Sequence, residues 1–508
     1  MEAHQNLQLI LNRTDRNSTK YAGDLAISNR IVIDGTALTC AEVARIAREE
    51  DVGVTVADSG VARARAAWEV AREVTETQPV YGRTTGVGAN RLVDVEWDDA
   101  DAHGLRLLRS HAAGAGPLLA PETVRAMLAV RVNQLAAGGS GVDSGVLRVL
   151  ADVLNLRLTP PIPVYGAIGT GDLTALASTA LCLLGERPWV GGERGPGFAL
   201  RSSDALAFIS SNAATLGESA LAVTDLRRLL NASTVIAALS WLAVHGSAEP
   251  YAPVVHEACP HPGQQQVAAD MRALLVYERP SPGRIQDPYG YRAFPQVHGP
   301  AIDVAAYADD VVQREINAAA ENPLIDVAGH AAWHNGNFHT AYVGLALDAT
   351  RAALFQTVAL SASRLGTLVE PTFTGLHPFL AASESSSGIM ILEYVAHSAI
   401  ADVRRFASPA ALGGAVLSRG VEDHAGFSTQ SARATMDALA AYRIALACEL
   451  VASVRALRMQ GRAPSGGALR AAYDVAAEIL DPRMEDRPLD TDIASAADLL
   501  DHEVFALT

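Results

Sequence analysis

The sequence predicts a mainly α-helical protein built on a central bundle of long helices. Four segments, 219–245, 338–369, 387–406 and 430–459, are rich in Ala, Leu and Val and nearly free of Pro and Gly. Helices that are apolar around much of their circumference need burial against several neighbours, as in a bundle. Alternating strand patterns are few, and the sequence shows no repeat of solenoid length.

Shorter elements are predicted before residue 210. The alternation in "NRIVIDG" (29–35) predicts a strand. In "VARARAAWEVAREVTE" (61–76), apolar residues at three- and four-residue steps predict an amphipathic helix whose buried face holds Val61, Ala64, Trp68, Ala71 and Val74. We expect a loop-bearing N-terminal part, residues 1–210, and a long-helix body, residues 211–508.

A Gly-Thr-Gly sequence precedes the next predicted helix, in "GAIGTGDLTALA" (166–177). Glycine frees the backbone on both sides of Thr170, and Asp172 is of a type that favours a helix N-cap. The stretch is therefore either a plain helix entrance, capped by Asp172, or a backbone arranged for chemistry.

Composition narrows the class of protein. Among 508 residues, 49% are hydrophobic and 19% charged, as in a globular protein, and the net charge of −16 offers no basic surface for nucleic acid or an anionic membrane. The four cysteines form no C-x-x-C pair, which favours reduced thiols. The first twenty residues carry no secretory pattern, so we expect a cytoplasmic protein.

Unusual polar residues concentrate in loops rich in Pro and Gly. His334 and His339 are five residues apart and do not share a helix face, so we expect no metal. Tyrosines, an arginine and a glutamate in loops instead indicate proton transfer on a small substrate that carries a carboxylate. These loops hold Tyr81, Ser110-His111, "QDPYGYR" (286–292), "HNGNFH" (334–339) and "EDH" (422–424).

Eight motifs in order resemble the aromatic amino acid ammonia-lyase and aminomutase family. They are "YGRTTGVG" (81–88), "LRLLRSHAAGAG" (105–116), "RVNQLAAGGSG" (131–141), "PHPGQ" (260–264), "QDPYGYRAFPQVHG" (286–299), "EINAAAENPLI" (315–325), "GNFH" (336–339) and "EDH" (422–424). The resemblance implies a mostly helical, cytoplasmic homotetramer whose sites combine residues of several subunits. It also implies an amino acid substrate, with no metal and no dissociable cofactor.

The family's electrophile is 4-methylideneimidazole-5-one, formed from an internal Ala-Ser-Gly. Here Gly169, Thr170 and Gly171 stand at those positions, so glycine replaces alanine and threonine replaces serine. Two interpretations stay open. Thr170 either yields a methyl-substituted form of the group, or the chain keeps the fold and never cyclises.

The resemblance also implies a role for each remaining site residue. Tyr81 matches the base that removes the β-proton, Tyr289 a residue near the electrophile, and Arg292 the guanidinium that binds the substrate carboxylate. For Arg292, a salt bridge at a helix end is the structural alternative. Gln286 and Phe338 match pocket-lining positions, and Asn212 is the candidate for the asparagine that the family has near the prosthetic group.

His111 and Glu422 match positions that are His and Glu in histidine lyases, which favours a polar ring over phenyl. We therefore predict an ammonia-lyase acting on a histidine- or tyrosine-like amino acid. A 2,3-aminomutase is one alternative. The other keeps the pocket without the electrophile, as a different acid/base enzyme or a binding protein.

Overall fold

The computed structural model describes residues 29–95, 100–192, 194–279 and 282–507. Within them the chain is mainly helical. The helices are α1 Cys40–Arg48, α2 Asp58–Thr77, α3 Ala100–His111, α4 Pro121–Ala137, α5 Gly145–Asn155, α6 Leu173–Leu183, α7 Ala205–Ile209, α8 Ala213–Ala243, α9 Pro253–Glu257, α10 Pro262–Leu274, α11 Tyr289–Arg292, α12 Phe294–Ile316, α13 Ala341–Leu368, α14 Pro371–Thr374, α15 Ile391–Phe406, α16 Ser428–Met459, α17 Gly467–Ile479 and α18 Asp490–Leu499.

The four long segments predicted from composition are helices. They correspond to α8, α13, α15 and α16, and α16 packs against each of the other three. The innermost of them, α8, is buried over nearly its whole length, which explains why it is apolar on every face. The predicted helical bundle is thus confirmed.

Three two-stranded sheets complete the described part. Strand β1, Arg30–Ile33, pairs in parallel with β2, Gly53–Val56. The pairs β3 with β4 (Ala115–Leu118 with Pro163–Tyr165) and β5 with β6 (Leu324–Asp326 with Ala331–Trp333) are antiparallel. The strand predicted in "NRIVIDG" is confirmed, whereas the expectation drawn from the first twenty residues lies outside the described residues.

The amphipathic helix α2 is confirmed, but its buried face differs from the predicted one. Ala64, Ala71 and Val74 are buried as expected, together with Ala67 and Val70. Val61 and Trp68 are only partly buried, and the guanidinium groups of Arg72 and Arg201 lie about 5 Å from the Trp68 ring. Such cation–π contacts are attractive.

Two apolar clusters form most of the core. One gathers the N-terminal helices with the first third of α8, and the other gathers the rest of α8 with α12, α13, α15, α16 and α17. Helix α8 belongs to both clusters and joins them. The division of the chain at residue 210 stays a prediction.

Candidate active site

The Gly-Thr-Gly turn requires glycine on both sides of Thr170. Gly169 has a φ of +84° and Gly171 a φ of +117°, a region that L-residues with a side chain rarely adopt. A Cβ on Gly169 would also overlap the Ser428 hydroxyl and lie 2.8 Å from the Ser428 backbone nitrogen. A Cβ on Gly171 would meet only Leu173, at 3.5 Å. Alanine at position 169 therefore needs a shift of its neighbours.

Backbone and side-chain donors fix this turn. The Gly169 carbonyl accepts hydrogen bonds from the Thr340 hydroxyl (2.9 Å) and the Thr340 amide (3.3 Å). The Gly171 amide donates to Asn212 Oδ1 at 2.8 Å. The amide of Phe427 donates to the Ile168 carbonyl at 2.9 Å. These hydrogen bonds fix the backbone on both sides of Thr170 in one conformation.

Four helices begin around the turn. Helix α6 follows it directly, and Asn212, Thr340 and Phe427, the residues that precede α8, α13 and α16, are the ones that hold it. The amides of a helix N-terminus and the helix dipole favour negative charge nearby. The turn therefore lies where electron density that builds up during a reaction is stabilised.

The expectation that Asp172 caps α6 is wrong. Asp172 is the N-cap residue, but its side chain makes no bond to that helix. Its carboxylate accepts from the Thr215 amide (2.7 Å) and the Thr215 hydroxyl (3.0 Å) of α8 instead. Burial raises the pKa of Asp172 to about 6. Burial likewise raises the pKa of Glu218, which lies on α8 with Thr215, to about 7. Both carboxyl groups are therefore weaker acids than usual, and they interact electrostatically with each other.

A cavity of about 540 Å³ opens on the turn. Its lining includes Tyr81, Thr170, Gly171, Phe338 and Glu422. Asn212 lies at its edge, because its side chain binds both the Gly171 amide and the Phe338 carbonyl. Counting Gly169, which directly precedes Thr170, the structure therefore brings seven of the predicted site residues to one place.

Hydrogen bonds fix both the side-chain hydroxyl and the backbone amide of Tyr81. Its hydroxyl oxygen accepts from the Gly88 amide at 2.7 Å, and its own amide donates to Nε2 of His334 at 3.1 Å. Burial raises the pKa of Tyr81, and the Glu422 carboxylate adds to this rise, whereas the Gly88 amide and Arg91 act in the opposite direction. The Gly88 hydrogen bond supports the phenolate form, which a base requires.

The other predicted residues do not reach this cavity within one chain. Gln286, Tyr289 and Arg292 line a second cavity of about 420 Å³. Arg292 donates to the Asp287 carbonyl at 3.2 Å, and its guanidinium lies 4.6 Å from the centre of the Tyr289 ring. His111 ends α3, where its Nδ1 lies 2.8 Å from the Leu107 carbonyl oxygen. None of these four residues lines the cavity at Thr170.

A family model described as aromatic amino acid lyase matches residues 38–478. The chain belongs to this family. Histidine ammonia-lyase from Symbiobacterium thermophilum is 34% identical over 484 residues, which cover 92% of this chain and 96% of that protein. The histidine ammonia-lyase from Stigmatella aurantiaca is 33% identical over 495 residues, with 93% and 96% covered.

Solved structures of aromatic amino acid lyase relatives share the fold. Tyrosine aminomutase from Streptomyces globisporus has a TM-score of 0.87 at 29% identity and covers 94% of this chain and 97% of its own. Ergothionase from Treponema denticola, an ergothioneine-degrading enzyme, has a TM-score of 0.86 at 25% identity, with 94% and 99% covered. The predicted fold class and the family resemblance are confirmed, and the chain belongs to a family of carbon–nitrogen lyases and aminomutases.

Sequence reasoning missed several residues of this lyase-family site. Thr340 and Ser428, which hold Gly169, were not singled out, although Thr340 directly follows "GNFH". His334 was considered only as a metal ligand, yet it binds the Tyr81 amide. Arg91 also lines the cavity and is the arginine found there. Each of these residues lies in or close to a motif, but spacing along the sequence does not reveal which residues come into contact.

The described residues contain no cluster of metal-ligating side chains and one long apolar helix. No group of three or more His, Cys, Asp or Glu side chains that could hold a metal ion occurs among them. In the same residues one helix, α13, is long and apolar enough by composition to cross a membrane, and 56% of its most apolar window is buried inside the chain.

Proposed function

We propose that this chain is an ammonia-lyase that converts a histidine- or tyrosine-like amino acid into ammonia and an arylacrylate. One observation carries the proposal: Tyr81 and Thr170 line the same cavity. A base and the precursor of an electrophile are thereby available to one small substrate. The cavity volume of about 540 Å³ is in the range of small-molecule sites.

The residues at the turn fit the precursor of the family's prosthetic group in a methyl-substituted form. Thr170 carries the β-hydroxyl that must be eliminated, Gly171 supplies an amide nitrogen without a neighbouring Cβ, and Gly169 supplies a carbonyl bound by two donors. When formed, the group supplies an electron-poor carbon that makes the substrate amino group a leaving group. No dissociable cofactor or metal is part of the proposal.

Tyr81 removes the proton from the β-carbon of the substrate. Its hydroxyl oxygen is available in the cavity, and the Gly88 amide stabilises the phenolate that accepts the proton. Because burial and Glu422 raise the Tyr81 pKa, the phenolate is a strong base once formed. The rate is therefore expected to rise with pH on the alkaline side.

Glu422 favours a substrate ring that donates a hydrogen bond. In the free chain this carboxylate is exposed to water, and a bound ring would displace that water. An imidazole N–H or a phenol O–H replaces the lost hydrogen bond, whereas a phenyl ring leaves the carboxylate unpaired. This difference is the basis for proposing histidine- or tyrosine-like substrates.

We also propose that the enzyme is a cytoplasmic homotetramer. The substrate carboxylate needs a guanidinium, and Arg292 lies with Gln286 and Tyr289 in a separate, open cavity. Delivery of Arg292 and His111 from neighbouring subunits would complete the site. Arg91, which already lines the cavity, is the alternative source of the guanidinium that binds the substrate carboxylate.

Two further candidates remain. The likeness to tyrosine aminomutase favours a 2,3-amino shift as the second, since the same base and electrophile serve both reactions. Threonine at position 170 motivates the third, in which the group never forms and the pocket has another acid/base or binding role.

Mass spectrometry of the purified full-length chain tests the proposal. The peptide spanning residues 163–181 is expected to lack the mass of two water molecules. Incubation with histidine, tyrosine or phenylalanine is then monitored for arylacrylate absorbance and for β-amino acid by chromatography. Arylacrylate from one of the first two supports the lyase, and β-amino acid as main product supports the aminomutase. An unmodified peptide rules out both and leaves the third candidate.

A further inference from the structure

Two buried hydroxyl groups form a chain of hydrogen bonds that ends at the Gly169 carbonyl oxygen. The Thr340 hydroxyl donates to this oxygen at 2.9 Å, and the Ser428 Oγ lies 2.5 Å from Thr340 Oγ1. A hydroxyl has a single proton, and that of Thr340 is engaged by Gly169. Ser428 must therefore donate to Thr340, which gives a directed chain from Ser428 through Thr340 to the carbonyl.

This pair is not used to cap its own helices. Thr340 is the N-cap residue of α13, yet its side chain makes no capping bond, and Ser428 is the first residue of α16. Both are almost completely buried, with 1% and 0% of their surface exposed. The Ser428 hydroxyl also occupies the space that a Cβ at position 169 would need. The two hydroxyl groups are thus committed to Gly169.

We propose that Thr340, supported by Ser428, activates the Gly169 carbonyl for the ring closure that makes the prosthetic group. The inference rests on the proposed function and adds residues of this chain that drive the maturation. Asn212 positions the other reactant, because its Oδ1 holds the Gly171 amide at 2.8 Å. Attacking nitrogen and attacked carbonyl are each held by a named side chain.

The maturation balances as two dehydrations. The Gly171 nitrogen bonds to the Gly169 carbonyl carbon, and its proton passes to the carbonyl oxygen. That oxygen leaves as water with the proton of the Thr170 amide, which creates a carbon–nitrogen double bond. The Thr170 hydroxyl leaves as a second water with the Cα proton, which creates a carbon–carbon double bond that bears the threonine methyl. No electrons are gained or lost, so no oxidant is needed.

Negative charge develops on the Gly169 oxygen during the first of these steps. The Thr340 hydroxyl and amide both point at this oxygen, as the donors of an oxyanion hole do. The buried setting strengthens the hydrogen bonds, and donation from Ser428 polarises the Thr340 hydroxyl further. Thr340 therefore accelerates the closure directly, and Ser428 is a positioning residue that acts through it.

The test follows maturation of the full chain made by cell-free synthesis. Samples taken over time are digested, and the fraction of peptide 163–181 that lacks two water molecules is measured. Thr340→Val removes the hydroxyl at nearly constant shape, and Thr340→Ser keeps it as the matched control. We expect Thr340→Ser to mature like the unsubstituted chain, Thr340→Val to mature about 10²–10³-fold more slowly, and Ser428→Ala to be a few-fold slower. Circular dichroism confirms folding of each variant.

The outcomes separate the inference from the proposed function. A folded Thr340→Val variant that matures at the unsubstituted rate overturns the inference and leaves the lyase proposal intact. An unsubstituted chain that never loses water overturns both. Should Thr340→Val not fold, Ser428→Ala decides: slower maturation supports the hydroxyl pair, and an unchanged rate overturns it.

Discussion

Gly169 is one of the two positions where this chain departs from the family's Ala-Ser-Gly, and replacing it by alanine tests the geometry of the turn. The φ of +84° at Gly169 imposes backbone strain of about 1–3 kcal/mol on any other residue. Contact of the new Cβ with Ser428 adds an overpacking cost of about 1–3 kcal/mol. Gly169→Ala is thus expected to lower the free energy of unfolding by about 2–6 kcal/mol.

Two matched variants separate these contributions. Gly171→Ala has the strained φ but only an ordinary contact with Leu173, so it is expected to cost about 1–3 kcal/mol. Gly414→Ala has neither a positive φ nor an atom within 4 Å, and it is expected to be nearly neutral. Ser428→Gly in the Gly169→Ala background removes the hydroxyl and relieves part of the contact.

Thermal unfolding at one scan rate and one protein concentration gives the order of stability. We expect Gly414→Ala to be the most stable, then Gly171→Ala, then the Gly169→Ala and Ser428→Gly double variant, with Gly169→Ala last. Equal destabilisation by Gly169→Ala and Gly171→Ala would refute the argument that Ser428 occupies the space of a Cβ at position 169.

Four further predictions concern the chemistry. Tyr81→Phe is expected to lower kcat by about 10²–10⁴ while peptide 163–181 keeps its two-water deficit; an unmodified peptide would instead give Tyr81 a part in maturation. Thr170→Ser removes the methyl from the carbon that the substrate amine attacks, so turnover is expected to increase, and a decrease would contradict that steric reason. Arg292→Lys is expected to raise KM more than Arg91→Lys does, and the reverse order would assign the substrate carboxylate to Arg91. Because the folded-state pKa of Asp172 is about 6 against an ordinary 3.8, the folded chain holds an extra proton between these values. Stability relative to Asp172→Asn should therefore fall by about 2 kcal/mol as pH rises from 4 to 6, and parallel pH profiles in urea unfolding would refute this.

Sequence reasoning succeeded where local composition determines the outcome. Helix α8 is apolar around most of its circumference because it is buried along nearly its whole length, and the C-terminal half of α16 is buried in the same way; this is visible in the residues themselves. Tyr81 and Glu422, both singled out in motif loops, line one cavity, and their roles there stay predictions.

The failures concern contacts between distant residues. Local rules made Asp172 a helix cap, but a buried carboxylate takes the strongest donors within reach, and these belong to Thr215, 43 residues away. The order of motifs likewise does not reveal that Arg292 and Thr170 line different cavities of one chain. Neither Thr340 nor Ser428 carries a local signal of its role, because that role exists only where α13 and α16 begin side by side at Gly169.

Three of the helices that begin at the turn do so without a side-chain cap. Asp172, Asn212 and Thr340 are of types that favour helix N-caps, yet none caps its own helix. Each helix thereby forgoes a stabilisation of about 1 kcal/mol. Phe427 adds a left-handed φ of +49° in donating its amide to Ile168, a conformation that is strained for an aromatic residue.

Two of these cap-type residues have a common target. Asn212 and Thr340 direct their donors and acceptors at the amide and carbonyl that flank Thr170, which are the two groups that must join if the ring is to close. A chain that only needed to pass from one helix to the next would be more stable with its caps satisfied locally. Strain held at a site by its surroundings is typical of chemistry performed there. The hydrogen bonds at these two groups therefore support the proposal that the turn matures.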